Sequence, residues 1–148
     1  GHSFGGSAVT VAAANGAPVK GLILLDPAIY KKENIKYLRQ VTIPTMVLGA
    51  DEKVFQARKR PYFYKYIRDK VAEISITNST HNDAQYPSLT SLTYFGFDPV
   101  TTESLQQKFV SAIVASAFSL TTRNNLDFAW DTFQSDIKAG RIYNARRK

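Results

Sequence analysis

Residues 1–6 read Gly1-His2-Ser3-Phe4-Gly5-Gly6, a G-x-S-x-G turn followed by one more glycine. The pattern has a mechanical meaning. A strand that turns sharply into a helix leaves the central serine on a strained backbone at the tip, with its hydroxyl exposed. Glycines two before and two after that serine remove side chains that would collide in the turn. Gly6 lets the helix pack close to its neighbours. The run that follows is small and apolar, with Ala8, Val9, Val11, Ala12, Ala13 and Ala14 closed by Asn15-Gly16. It suits the helix that the turn requires downstream. The strand required upstream would lie before Gly1, so residues 1–140 are expected to be the C-terminal portion of a single larger domain.

The rest of the chain reads as alternating β and α elements. Residues 19–25 (VKGLILL) are continuously apolar, as suits a parallel strand buried on both faces, and they end at Asp26-Pro27. Residues 31–40 are polar, with helical potential around Ile35, Tyr37 and Leu38. Residues 45–48 (TMVL) read as a second buried strand, ending at Gly49-Ala50-Asp51. An aromatic, basic helix is expected over residues 55–69, its main turn starting at Pro61. Residues 71–77 (VAEISIT) alternate and predict a third strand, followed by the polar loop Asn78-Ser79-Thr80-His81-Asn82-Asp83. Residues 82–100 form an aromatic loop containing Tyr86, Tyr94, Phe95 and Phe97. A helix over 101–122, capped by Thr101 or Thr102, is predicted from Leu105, Phe109, Ile113, Ala117 and Leu120. A shorter helix follows over 126–138, with Trp130 and Phe133 in the core. Residues 141–148 read as a disordered basic tail. The alternation implies a parallel sheet with helices on both faces. Together with the serine turn, it predicts the C-terminal part of an α/β-hydrolase fold.

Composition sets the outer limits. The chain has 148 residues, 44% hydrophobic and 21% charged, as in an ordinary globular domain. No apolar run approaches the ~18–20 residues of a membrane-spanning helix. The absence of cysteine excludes disulfides and thiolate metal sites. Two distant histidines and no carboxylate cage give no metal site, and no cofactor is implied. The net charge of +7 is concentrated in residues 53–70 and 141–148. These clusters read as a solvated face and a frayed end. No zinc-finger spacing or RNP-type aromatic motif is present, so nucleic acid is not an expected partner. The aromatic residues Tyr62, Phe63, Tyr64 and Tyr66 read as helix packing in preference to a lipid-facing patch. The sequon Asn78-Ser79-Thr80 reads as unmodified.

A serine hydroxyl needs a base to remove its proton and an acid to orient that base. In this fold the chain order is serine, acid, histidine. The chain has two histidines, His2 and His81. His2 adjoins Ser3, where neighbouring side chains diverge, so His81 in the loop after the last predicted parallel strand is the expected base. The acid has two candidate places. Asp26 ends the strand after the serine helix, and Asp51 or Glu52 ends the next one. Asp26, stiffened by Pro27, is favoured, with Asp51 and Glu52 as the alternatives. The backbone N–H of Phe4 is the expected donor for one half of an oxyanion hole. The second donor of such a hole belongs to an early loop of the domain, so residues 1–148 alone are expected to be inactive.

These motifs resemble the lipoprotein-associated and intracellular type II platelet-activating factor acetylhydrolases. The likeness rests on residues 1–6 with the small Ser7 and Ala8, on Leu24-Leu25-Asp26, on Glu52 with Phe55-Gln56, and on Thr80-His81-Asn82. It covers roughly residues 1–90. It implies a metal-independent serine esterase acting on the sn-2 acetyl group of a phospholipid, with Ser3 as nucleophile, Asp26 as acid and His81 as base. It also implies contact with a membrane or lipoprotein surface and either a secreted or a cytoplasmic location. A cutinase-like or dienelactone-type carboxylesterase with the same triad is the close alternative. A basic module that binds lipid or anions without catalysis is the distant one.

Overall fold

The computed structural model describes residues 1–53, 57, 59–85 and 102–148. Its elements are α1 (Phe4–Ala14), β1 (Leu22–Leu25), a 3-10 turn (Lys32–Asn34) running into α2 (Ile35–Leu38), β2 (Thr45–Gly49), α3 (Pro61–Tyr66) and β3 (Val71–Ile76). A second 3-10 turn (Asn82–Ala84), α4 (Glu103–Phe118) with a π-turn (Ser119–Arg123), α5 (Asp127–Lys138) and β4 (Ile142–Arg147) complete them. Thr102 caps α4, its hydroxyl accepting from the Leu105 N–H. Of the features expected from sequence, Phe55-Gln56, Tyr86, Tyr94, Phe95, Phe97 and Thr101 lie outside the described residues.

The strands form one sheet in the order β1-β2-β3-β4. β1, β2 and β3 pair in parallel, with Leu22 opposite Thr45 and Thr45 opposite Val71. β4 runs antiparallel to β3, with an irregularity between Glu73 and Ser75. The molecule is therefore mixed α/β with a mostly parallel sheet. On the free side of β1 the chain start continues the ladder. The Leu25 N–H donates to Gly1 O at 2.8 Å and the Ser3 N–H donates to Leu25 O at 3.0 Å. His2 makes a parallel bridge to Leu25. Ser3 thus stands where a strand position turns into α1.

Side chains of successive strand residues point to opposite faces, and the core divides accordingly. Met46, Leu48, Ile74 and Ile76 pack with Phe109, Ala112 and Phe133 of α4 and α5. Leu22, Leu24, Val47 and Val71 pack with Leu38, Phe63 and Ile67 around α2 and α3. Phe63 is fully buried, and Tyr62, Tyr64 and Tyr66 are partly buried against the same cluster, so the aromatic run packs as expected. Phe133 is core, whereas Trp130 is only partly buried.

Two expectations need correction. Residues 142–147 are not a disordered tail but the fourth strand. Its polar sequence hides the interactions that hold it. Ile142 enters the core, Arg146 pairs with buried Glu73, and the Arg146 guanidinium lies 4.2 Å from the Tyr64 ring centroid. Lys148 Nζ then donates to Tyr64 O at 2.6 Å and Ile67 O at 3.1 Å, satisfying carbonyls at the end of α3. The basic run 53–70 is not wholly a solvated face either, because Arg60 is completely buried. The buried face of α4 also includes Gln106 and Ser116. Ser116 can be buried because its hydroxyl donates to Ala112 O at 2.7 Å.

The two-sided core makes a stability prediction. Phe109 is 1% exposed and Phe118, on the same helix, 45%. Phe109→Ala should cost about 3–5 kcal/mol. Phe118→Ala, which loses a ring contact with Phe128 at 4.7 Å on a half-exposed side chain, should cost about 1 kcal/mol or less. Urea denaturation midpoints of the two variants check the ranking.

Candidate active site

Ser3 and Asp26 sit on adjoining turns that are locked together. Ser3 has φ 54 and ψ −128, and Asp26 has φ 36, both in a region that side chains rarely adopt. Such backbone costs on the order of 1–3 kcal/mol per residue and persists only where its surroundings enforce it. Here the Ala28 N–H donates to Ser3 O at 2.9 Å, and Ser7 Oγ donates to Ala28 O at 2.6 Å. A Cβ on Gly1 would stand 2.5 Å from Gly5 O, and one on Gly6 would stand 2.6 Å from Pro27 Cβ. Gly1 therefore lets the serine turn close on α1, and Gly6 lets it approach the turn of Asp26. Gly5 does not fit that account, because a Cβ there would meet nothing within 4 Å among the described residues.

The Asp26 carboxylate is buried and divided between two partners. Oδ2 lies 2.5 Å from His81 Nδ1. Oδ1 accepts from the Ala50 N–H at 3.0 Å and from Arg60 Nη1 at 2.7 Å. Burial alone would raise the Asp26 pKa, but the His81 bond and the Arg60 charge outweigh it and hold it below its ordinary value. Asp26 therefore stays ionised beside the imidazole.

The alternative acids occupy other places. Asp51 Oδ2 accepts from the Asn78 N–H at 2.7 Å, and Oδ1 accepts from the Lys53 N–H at 2.9 Å and from the Tyr143 hydroxyl at 2.6 Å. It organises the start of the His81 loop. Burial and the bond to Asp51 push the Tyr143 hydroxyl up to about 12. Glu52 pairs with Arg60 Nη2 at 2.7 Å. The far side of the loop is held by Asp83, whose carboxylate accepts from the Thr80 N–H at 2.7 Å and the Thr102 N–H at 3.3 Å. Asn78 is exposed, while Ser79 and Thr80 are buried in the loop.

His2 tethers the backbone of His81. Its Nε2 donates to His81 O at 3.0 Å, and its Nδ1 accepts from Gln85 Nε2 at 2.6 Å. The two imidazole rings lie 4.3 Å apart. Burial, aided by the neighbouring His81, lowers the His2 pKa to about 4. Sequence reasoning set His2 aside and missed Arg60, Asp83 and Tyr143. Arg60 left one trace, a cation at the start of α3, where the helix dipole disfavours it. Nothing in the local sequence marks Asp83 or Tyr143.

Among the described residues, no group of three or more His, Cys, Asp and Glu side chains could hold a metal ion, and no helix is long and apolar enough to cross a membrane. No family model matches the chain, and neither a curated protein nor a solved structure matches it.

The neutral His2 links the site to pH. Its folded pKa of about 4 lies below the ordinary 6.5, so the unfolded chain binds the extra proton between those values. That contribution to stability is intact above pH 6.5 and falls as the pH drops toward 4. His2→Gln keeps a donor for His81 O and removes this dependence. Denaturation at pH 7.5 and 4.5 should show a smaller pH effect in the variant than in the parent protein.

Proposed function

We propose that this protein is a serine esterase of the α/β-hydrolase fold, with Ser3 as nucleophile, His81 as general base and Asp26 as the acid that orients it. The observation that carries the reading is the 2.5 Å contact between His81 Nδ1 and buried Asp26 Oδ2. It joins the loop after β3 to the turn after β1, and that turn is bonded to the backbone of Ser3. Chain order, the positive φ of Ser3 and the parallel strands β1 and β3, which lead to the Asp26 turn and the His81 loop, support the same reading.

In this reaction the Ser3 hydroxyl attacks the ester carbonyl while His81 Nε2 takes its proton. Asp26 fixes the tautomer that carries hydrogen on Nδ1 and stabilises the imidazolium. The Phe4 N–H, at the first position of α1, donates to the oxyanion of the tetrahedral intermediate. His81 then returns the proton to the leaving alcohol, and an acyl-serine remains. Water, activated by the same base, releases the acid. The substrate is a short-acyl ester, and the resemblance noted above points to the sn-2 acetyl group of a phospholipid. The exposed, edge-to-face pair of Phe4 and Tyr30, with ring centroids 5.3 Å apart, supplies apolar surface next to the nucleophile.

Ser3→Ala in the natural full-length protein should lower kcat by a factor on the order of 10⁴ or more, because the covalent route disappears. A fluorophosphonate should label Ser3 alone. Asp26→Asn should cost a factor approaching ~10⁴. Asp51→Asn should act on the stability of the loop and cost far less in kcat. The reverse ranking of the two Asn variants would place the acid after β2 and sink this assignment.

Substrate choice separates the phospholipid reading from a general carboxylesterase. An acetyl phospholipid should be turned over far faster than its palmitoyl homologue, because a short-acyl pocket rejects a long chain sterically. Chelators should leave the rate unchanged, since the triad activates the nucleophile itself. Equal rates on both lipids, or turnover of water-soluble esters only, would remove the phospholipid assignment and leave the esterase.

A further inference from the structure

Arg60 is the largest fully buried side chain of the molecule among the described residues, and the esterase chemistry above does not use it. It begins α3, yet its guanidinium reaches back under the sheet. Nη1 donates to Asp26 Oδ1 and to Ala50 O, each at 2.7 Å. Nη2 donates to Glu52 Oε1 at 2.7 Å and to Ser75 Oγ at 2.8 Å. Nε lies 3.6 Å from Glu73 Oε1 without a hydrogen bond. Gly49 makes the space: a Cβ there would stand 2.5 Å from the guanidinium carbon. Burying an arginine is costly unless its donors and charge are matched. Here three carboxylates, one from each parallel strand or the loop after it, converge on it, and Arg146 on β4 balances Glu73 from the other side.

The consequence falls on the imidazole. A carboxylate held only by the Ala50 N–H could rotate about its Cβ–Cγ bond and present either oxygen to His81. Arg60 occupies the same oxygen as Ala50, so Oδ2 is committed to Nδ1. Its positive charge also offsets the negative field that Asp26, Glu52 and Glu73 would otherwise direct at the ring. We propose that Arg60 is a positioning residue, which fixes the rotation of the Asp26 carboxylate and, through it, sets the orientation of His81. The proposal rests on the assignment of Ser3, Asp26 and His81 as a triad. Other charged or titratable groups facing this cluster are Arg146 on β4, the Tyr143–Asp51 pair beside Glu52, and His2 against the His81 ring.

Two variants of the natural full-length protein test it, each assayed per active site counted by the end point of fluorophosphonate labelling. Arg60→Lys keeps the charge and loses the planar fork. Its kcat should fall about 10–100-fold with KM little changed, as for a misaligned base. Arg60→Met combined with Glu73→Gln removes one charge of each sign, which guards the fold against uncompensated buried carboxylates. Its kcat should fall at least as far, again with KM little changed, because the Asp26 carboxylate is no longer held in one rotation. A parent protein labelled at Ser3, with both variants matching it in kcat per site, would overturn the positioning role and leave Arg60 a purely structural ion. A parent protein that is not labelled at Ser3 would overturn the triad assignment itself and this proposal with it.

Discussion

The Asp26 carboxylate is a charge held entirely out of water, and much of the surrounding architecture follows from keeping it there. A buried carboxylate needs every lone pair met and its charge answered. The answer comes from three directions: a backbone N–H after β2, a guanidinium from the start of α3, and an imidazole from the loop after β3. Parallel strands bring these groups together because their carboxyl ends all emerge at one edge of the sheet. The guanidinium then requires further carboxylates, and Glu73 in turn requires Arg146 from β4. The antiparallel strand that closes the chain is thus part of the same chain of charge compensation that starts at the proposed acid.

Strain and packing meet at the same place. Ser3 and Asp26 both carry unfavourable backbone, and each is held by atoms of the other's turn. The close approach of Gly6 to Pro27 enforces both at once. A substitution that pushes α1 away from residues 26–28 would relax two strained residues together and separate the turn of Ser3 from that of Asp26.

The sequence was most readable where chemistry is local. Ser3 announces itself through the glycines around it, Asp26 through its position between an apolar strand and a proline, and His81 through the scarcity of histidines. The strands β1, β2 and β3 were visible as short apolar runs because both of their faces are buried. What stayed hidden is polar and nonlocal. Arg60 sits in a basic stretch that reads as solvated, and only the folded chain shows three distant acids converging on it. β4 reads as a loose end because its holding interactions are an arginine against a buried glutamate and a lysine against a helix terminus. The α4 stripe was displaced because buried serine and glutamine do not register in a pattern of apolar residues.

Asp83 gives the site a further property. One carboxylate receives the Thr80 N–H, just before the proposed base, and the Thr102 N–H, at the cap of α4. The chain therefore departs from a point beside His81 and returns to the same carboxylate. The entropy of closing a loop grows only slowly with its length, so residues added or removed between those two anchors carry little thermodynamic penalty. The imidazole is insulated from such changes by the knot that precedes them. A lineage could lengthen, shorten or rewrite that segment while Asp26 and His81 stay where they are.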